Sequence, residues 1–303
     1  MPKYHFLEYD AKNICNPHAP FAVLPIPYEH SVSYGRGTAK APAAILKASV
    51  QTELFDEEFF CPQGLRVQTL PAINCHGTNS GIFARIRRTA ESVLRSGRFL
   101  MSFGGEHSIT FPLVAAAQAV HKEISVLSLD AHLDLRDSYK NNCLSHACVF
   151  RRIMEINVPV THVGIRSLCR EEYDLVKRHH LNVYWAREIL AAAGEGWIAT
   201  LIAGMKNKVY ISIDADVLDL AIMPGTGTPE PGGLSWQTVL TLLRRICLKR
   251  TVIAADIVEV IPLPNTPVCE YTAAKLALKL MTYSNYSGSQ KSGARIKNKS
   301  KKH

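Results

Sequence analysis

The sequence of 303 residues lacks the features that mark several classes of protein. It contains no run of about 18 uninterrupted apolar residues, so we expect no membrane-spanning helix. Its first five residues lack a basic segment followed by an apolar core, so we expect no secretory signal. The eight cysteines form no Cys-x-x-Cys pair, which argues against a zinc site and against a compact disulfide framework. These absences favour a cytoplasmic protein with reduced, mostly buried thiols.

Acidic residues are missing from the last part of the chain. The formal net charge is +9, and removing six basic residues after position 290 leaves +3 for the rest: Lys291, Arg295, Lys297, Lys299, Lys301 and Lys302. The Ser, Gly, Lys and Asn content predicts a disordered basic tail over residues 284–303, which follows a single domain over residues 1–283. A tail that contacts nucleic acid or acidic membranes is an alternative. No interleaving of basic and aromatic residues elsewhere supports a nucleic-acid partner.

Apolar segments rich in β-branched residues alternate with helical patterns along the chain. Strands are predicted at residues 21–24, 125–129, 161–165, 209–213 and 251–260. Helices are predicted at residues 79–95, 109–121, 146–156, 171–180, 235–248 and 271–282. Strands that are apolar throughout and alternate with helices predict an α/β fold with a parallel sheet covered on both faces.

Two of these strands end in carboxylates. The first leads into Asp130-Ala131-His132-Leu133-Asp134, and the second leads into Asp214-Ala215-Asp216. In an extended chain, residues two apart share a face, so Asp130 and His132 should point in the same direction, as should Asp214 and Asp216. Asp134 joins the pair of Asp130 and His132 if the chain stays extended. Four carboxylates at the end of a buried sheet repel one another unless cations neutralise them. Oxygen ligands with some imidazole suit manganese(II), and four carboxylates favour two ions about 3.5–4 Å apart.

Each of these patterns also has an ordinary structural explanation. Asp-x-Asp at a strand end is often a turn or a helix cap. A third segment, Gly104-Gly105-Glu106-His107-Ser108, precedes a helical pattern, and its histidine is explicable as an incidental residue at a helix start. The paired glycines permit a sharp turn that presents the histidine at the sheet edge. The joint occurrence of all three segments favours a metal site.

In this order, the three segments resemble the signature motifs of the arginase/agmatinase ureohydrolase family. Residues 28–35, 164–167, 224–233 and 256–260 resemble further family motifs, and the resemblance covers residues 21–281. It implies a three-layer α/β/α fold around an eight-stranded, mostly parallel sheet. It also implies a homo-oligomer, trimeric or hexameric. This sequence departs from the family motifs at two places. His146-Ala147-Cys148 replaces a common His-Gly-Thr, and Leu220 replaces a usual proline.

The resemblance further implies which residues form the site. The first of two manganese ions, for which nickel is an alternative, would be bound by His107, Asp130, Asp134 and Asp214. The second would be bound by His132, Asp130, Asp214 and Asp216, so that Asp130 and Asp214 would bridge the two ions. The implied catalytic residues are the glutamate that holds the guanidinium group, the histidine of proton transfer and one metal-binding aspartate: Glu259, His146 and Asp134.

The expected reaction is attack on a guanidinium carbon by a metal-activated hydroxide, with release of urea. A bound metal lowers the pKa of water from about 15.7 to about 7, and orientation can contribute about 7–11 kcal/mol. We expect agmatine as substrate, giving putrescine in polyamine biosynthesis, because Glu230, Arg166 and Ser167 resemble agmatinases more than arginases. Arginine, aminopropylagmatine, guanidinobutyrate and guanidine are alternatives. A metal-binding regulatory protein would need a damaged ligand set, and none is damaged.

Overall fold

An eight-stranded sheet organises the chain, for which the computed structural model describes residues 4–8, 18–59 and 65–299. The strands are β1 (Phe21–Ile26), β2 (Val67–Thr69), β3 (Phe99–Gly104), β4 (Ile124–Leu129), β5 (Val160–Ile165), β6 (Asn182–Trp185), β7 (Lys208–Asp214) and β8 (Thr251–Val258). Their spatial order is β2-β1-β3-β8-β7-β4-β5-β6, and every neighbouring pair is parallel. The predicted eight-stranded, mostly parallel sheet is confirmed, and it is parallel throughout.

The α-helices cover both faces of this sheet. They are α1 (Ala41–Ser49), α2 (Asn79–Arg95), α3 (Thr110–His121), α4 (Val149–Glu155), α5 (Arg170–His179), α6 (Ala186–Ala191), α7 (Gly196–Ala203), α8 (Trp236–Lys249) and α9 (Val268–Lys299). Two begin at capping side chains: Thr78 accepts from the Gly81 N–H before α2, and Ser235 accepts from the Thr238 N–H before α8. Such caps satisfy backbone donors that have no partner inside the helix.

Two hydrophobic clusters lie on opposite sides of the sheet. One joins apolar residues of α1, α7, α8 and α9, and the other joins those of α2, α3, α4 and α5. Successive residues of β1 alternate between them, with Phe21 and Val23 in the first cluster and Ala22 and Leu24 in the second. Because both faces of the central strands are buried, these strands are largely apolar, which confirms the three-layer α/β/α architecture.

The sequence patterns predicted the central strands and missed others. β1, β4, β5, β7 and β8 lie where strands were expected, whereas β2, β3 and β6 were not predicted. β2 has only three residues and β6 is a partly exposed edge strand, so neither carries a pattern long enough to recognise. β3 is buried along its whole length and leads directly into the paired glycines. The helices α1, α6 and α7 were also missed.

The last helix extends into the basic segment. α9 runs to Lys299, so the backbone is helical over residues 284–299, where a disordered tail was expected; residues 300–303 lie outside the described residues. Adding residues to an existing helix avoids a new nucleation step, which explains why a segment of weak helix formers can continue it. The domain boundary at residue 283 stays a prediction.

The six cysteines among the described residues are free thiols: Cys75, Cys143, Cys148, Cys169, Cys247 and Cys269. The remaining two, Cys15 and Cys61, lie outside the described residues. In the part of the chain that the structure describes, no helix combines the length and the hydropathy that a bilayer crossing requires.

Candidate metal centre and active site

Four adjacent strands in the middle of the sheet, β3, β8, β7 and β4, carry the predicted site at their carboxyl ends. Parallel strands all end at one edge, so side chains that are distant in sequence meet there. The residues at this edge come from all four strands: His107 after β3, Asp130, His132 and Asp134 after β4, Asp214 and Asp216 at the end of β7, and Glu259 after β8. The structure therefore brings together all six side chains that were predicted to bind metal.

His107 is the centre of a first group of side chains. Its Nδ1 atom lies 3.3 Å from Asp130 Oδ2, 3.2 Å from Asp134 Oδ2 and 3.2 Å from Asp214 Oδ2. Among the described residues, neither His107 Nδ1 nor Asp130 Oδ2 has a hydrogen-bond partner, although both atoms are buried. Metal bonds of about 2.0–2.2 Å place neighbouring ligand atoms about 3 Å apart, so this group fits a shared cation.

His132 is the centre of a second group. Its Nδ1 atom lies 2.9 Å from Asp216 Oδ2 and 3.8 Å from Asp130 Oδ1. The possible ligand atoms of His132, Asp130 and Asp216 all lie within 4.8 Å of one another. The same holds for those of His107, Asp130 and Asp134 in the first group. Asp130 belongs to both groups, so its two carboxylate oxygens face different sets of possible ligands.

The charges in these groups need neutralisation. Burial, and then the nearby carboxylates, raise the pKa of Asp130 to about 7 and that of Asp214 well above its ordinary value. The two histidines oppose this effect but supply too few positive charges for four nearly buried aspartates. Divalent cations would remove the repulsion, so the residues present fit two metal ions.

The backbone does not stay extended after the strands, yet Asp134 still joins the first group. This residue has φ 49, and the left-handed turn brings its carboxylate to His107. Asp214 begins a short 3-10 turn, Ala215–Val217, in which its side chain accepts from the Asp216 N–H. Left-handed geometry in a residue other than glycine costs about 1–3 kcal/mol and is found at functional sites.

Glu259 directly follows β8, which ends at Val258, two residues before the predicted strand end at residue 260. It has φ 59, its N–H donates to the Gly105 carbonyl at 2.9 Å, and its carboxylate accepts from the His107 N–H at 2.7 Å. Burial, and then the neighbouring Glu106 carboxylate, raise its pKa to about 8. A cationic group beside Glu259 would stabilise the ionised form, as expected of a residue that binds a guanidinium.

His146 lies on the loop before α4 and is held by two serines. Its Nδ1 is 3.2 Å from Ser31 Oγ, its Nε2 is 2.8 Å from Ser33 Oγ, and its backbone N–H donates to Ser31 Oγ at 3.0 Å. The Tyr139 ring packs edge-on against the imidazole with centroids 5.7 Å apart. This half-buried histidine therefore has a fixed ring orientation at the cavity wall.

Glu106 is a residue whose role the sequence did not reveal. It is fully buried and accepts from the backbone N–H groups of His30 and Ser31, and from the hydroxyls of Ser31 and Ser108. It thereby fixes the loop that carries the two serines of His146. The only signal for it was an acidic residue between the paired glycines and His107.

A cavity of about 320 Å³ opens over these groups. The predicted site residues at its wall are His132, Asp134, His146, Asp214, Asp216 and Glu259. The other charged residues of the wall are Arg136 and Glu172, and the remaining wall is mostly polar or small: Val32, Ser33, Gly35, Tyr139, Ala147, Ser167, Leu168, Gly227 and Thr228. Two divalent cations would neutralise the four aspartates and leave two glutamates against one arginine, which favours a cationic ligand.

Comparison with known proteins assigns the fold and site to a family. The chain belongs to the arginase family, whose model matches residues 19–283. It is therefore an arginase-family hydrolase, a ureohydrolase of guanidino compounds. The N(1)-aminopropylagmatine ureohydrolase of Synechocystis sp. is 39% identical over 88% of this chain and 89% of its own length. The agmatinase of Pyrococcus horikoshii is 32% identical over 80% of this chain and 84% of its own length.

Solved structures give the same fold. The agmatine ureohydrolase of Thermoplasma volcanium matches with a TM-score of 0.82 and 28% identity, covering 92% of this chain and 94% of the other. The proclavaminate amidino hydrolase of Streptomyces clavuligerus matches with a TM-score of 0.83 and 25% identity, covering 94% of this chain and 97% of the other. The resemblance to the ureohydrolase family that the motifs indicated is thus confirmed.

Proposed function

We propose that this enzyme hydrolyses the guanidino group of N(1)-aminopropylagmatine, releasing urea and leaving a polyamine, with agmatine as the second candidate. The observation that carries the guanidino assignment is the buried Glu259 carboxylate beside two groups of side chains that fit cations. The aminopropyl group is supported by relatives of that name at 39%, 35% and 33% identity. Agmatine, which the sequence motifs favoured, is supported by agmatinases at 32% and 31% identity.

The metal centre that we propose has six ligands. His107, Asp130, Asp134 and Asp214 would hold one ion, and His132, Asp130, Asp214 and Asp216 would hold the other, with manganese preferred and nickel as the alternative. The distances around His107 Nδ1 support the first set, and those around His132 Nδ1 support Asp130 and Asp216 in the second, whereas Asp214 enters the second set from the family resemblance. When bound, the ions supply Lewis acidity that lowers the pKa of water towards neutrality.

Glu259 binds and orients the substrate in this proposal. Its position after β8 puts its carboxylate next to the His107 backbone, so a guanidinium bound to it would lie close to the first group. Charge-assisted hydrogen bonds between a carboxylate and a guanidinium are directional and can be bidentate. Fixing the guanidinium carbon in this way supplies the orientation on which the reaction depends.

His146 moves the proton that the leaving amine requires. The serine hydroxyls on both ring nitrogens hold the imidazole at the cavity wall, which suits a group that accepts and returns a proton. Asp134, which turns towards His107 and lines the cavity, completes the proposed catalytic set.

Urea release tests the proposal. Purified enzyme with Mn²⁺, with Ni²⁺ and after chelation is assayed with aminopropylagmatine, agmatine, arginine, guanidinobutyrate and guanidine. We expect the highest kcat/KM with aminopropylagmatine, about tenfold above agmatine for about 1.4 kcal/mol of added binding to the second ammonium. A higher kcat/KM with agmatine selects the second candidate. Urea from none of the five compounds, or equal rates with and without metal, rejects the mechanism.

Glu259→Gln provides a matched variant for the assay. It preserves the shape and the hydrogen bond from the His107 N–H but removes the negative charge. Because a hydrogen bond to a charged partner contributes about 1.5–3 kcal/mol, kcat/KM should fall about 10- to 100-fold for every guanidino substrate. Unchanged kcat/KM would exclude contact between this carboxylate and the guanidinium.

We further propose that the enzyme is a cytoplasmic homo-oligomer, trimeric or hexameric, and that it has no nucleic-acid or membrane partner. The nearly balanced charge of residues 1–290 supports the absence of a nucleic-acid partner, and free thiols among the described cysteines support the cytoplasmic location. The oligomeric state rests on the resemblance to the family. Sedimentation of the purified chain measures the oligomeric state, and a monomer would contradict this part of the proposal.

A further inference from the structure

A buried carboxylate lies behind the first metal group and takes no part in the reaction described above. Asp256 on β8 is fully buried. It accepts from three hydroxyls: Ser212 Oγ donates to its Oδ1 at 2.7 Å, Thr110 Oγ1 donates to its Oδ2 at 2.9 Å, and the Tyr210 hydroxyl also donates to Oδ2. Among the described residues, no lysine or arginine forms an ion pair with it. The presence of a buried carboxylate without a lysine or arginine partner therefore needs another explanation.

The hydrogen bonds around Ser212 have only one consistent direction. A serine hydroxyl has one proton, and that of Ser212 is donated to Asp256. His107 Nε2 lies 2.9 Å from Ser212 Oγ, which therefore has only a lone pair to offer it. The hydrogen of a neutral imidazole must then reside on Nε2, which leaves the Nδ1 lone pair available to a cation held among the three carboxylates of the first group.

We propose that Asp256, acting through Ser212, is a positioning residue that fixes His107 in the Nε2-protonated tautomer and so strengthens binding of one cation. The proposal rests on the metal centre proposed above and adds residues beyond its six ligands. Partners of this kind orient metal-binding histidines and raise their basicity, and their loss typically weakens metal binding 10- to 100-fold. The chain from carboxylate to serine to histidine is wholly buried, so water does not substitute for it.

Within the described part of the chain, no buried hydroxyl supports His132 as Ser212 supports His107. His132 Nε2 lies 3.6 Å from Glu230 Oε1, and both side chains are partly exposed, at 24% and 34%. Water can replace this long contact, whereas it does not reach Ser212. Breaking the buried chain should therefore weaken one ion and spare the other.

The test is calorimetric titration of Mn²⁺ into the chelated full-length protein. Ser212→Ala removes the hydroxyl that links the two groups, and we expect a 10- to 100-fold loss of affinity at one ion and less than threefold at the other. Tyr210→Phe is the matched control, because it removes a hydroxyl from the same carboxylate but leaves the connection to His107 intact. We expect it to bind both ions within threefold of the parent protein.

Two outcomes overturn the proposal. One is a Ser212→Ala protein that binds both ions like the parent, and the other is a Tyr210→Phe protein that loses as much affinity as Ser212→Ala. Should Ser212→Ala fail to fold, the isosteric Asp256→Asn replaces it under the same criteria. A parent protein that binds two ions but releases no urea refutes the proposed function alone, and this proposal stands on the titration.

Discussion

Removal of the metal ions should destabilise the protein more strongly as the pH rises. Burial and the neighbouring carboxylates raise the pKa of Asp130 from 3.8 to about 7, and the surrounding carboxylates raise those of His107 and His132 despite their burial. A group with a raised pKa in the folded state stabilises the fold at low pH and loses that contribution as the pH rises. The metal-free protein should therefore lose stability above about pH 4.

The magnitude follows from Asp130. Between its unfolded pKa of 3.8 and its folded pKa of about 7, each pH unit lowers the free energy of unfolding by about 1.4 kcal/mol. From pH 5 to pH 7 the loss is about 3 kcal/mol, which corresponds to a decrease in Tm of about 6 °C for a chain of this size. Bound cations displace these protons, and at about 100 times the Kd they add about 2.7 kcal/mol.

Thermal unfolding at pH 5, 6, 7 and 8, with chelator and with Mn²⁺, measures the effect. The difference in Tm between the metal-loaded and the metal-free protein should widen with pH. Asp130→Asn serves as the control, because it removes the carboxylate common to both groups, and Mn²⁺ should then give little stabilisation. A difference that is constant or that narrows with pH would refute the assignment of these six residues to a cation site.

Two further substitutions test the fold around the site. Lys279→Met should lower the free energy of unfolding by about 3–5 kcal/mol in urea denaturation. The reason is that the buried Asp56 carboxylate, 2.9 Å from Lys279 Nζ, loses its counter-charge. As a control, Lys177→Met at an exposed position should change the free energy of unfolding by less than about 0.5 kcal/mol. Gly105→Ala should abolish Mn²⁺ binding or folding, because its Cβ would lie 1.8 Å from a backbone oxygen of the neighbouring loop, whereas Gly196→Ala meets nothing within 4 Å and should preserve both.

The central part of the fold was predictable because its signals are local. An apolar strand buried on both faces, such as β4 or β7, is recognisable from five or six residues. The short β2 and the edge strand β6 have no such signal, since their pairing with neighbours, and not their composition, makes them strands. The left-handed Asp134 and Glu259 were likewise unpredicted, because neither residue type requires that conformation.

The site was predictable in its residue types and only partly in its geometry. The four aspartates and His132 were identified because they follow two predicted strands, and all parallel strands end at one edge. His107 was identified from the paired glycines before it, and Glu259 and His146 were identified from the resemblance to the family motifs. The partners that orient them were not, since Ser31 and His146 are 115 positions apart and Ser212 and His107 are 105 positions apart. No local pattern encodes such a pair.

By itself, the sequence determined the chemical nature of the ligands, their order along the chain and the alternation of strands and helices that builds a parallel sheet. The tertiary structure decided which of these side chains lie close enough to share a cation, which hydroxyls hold His107 and His146, and what charge lines the cavity. The physical reason is the strand order β3-β8-β7-β4, which places side by side four strand ends from widely separated parts of the chain. Distances of about 3 Å between their side chains exist only once that sheet has formed.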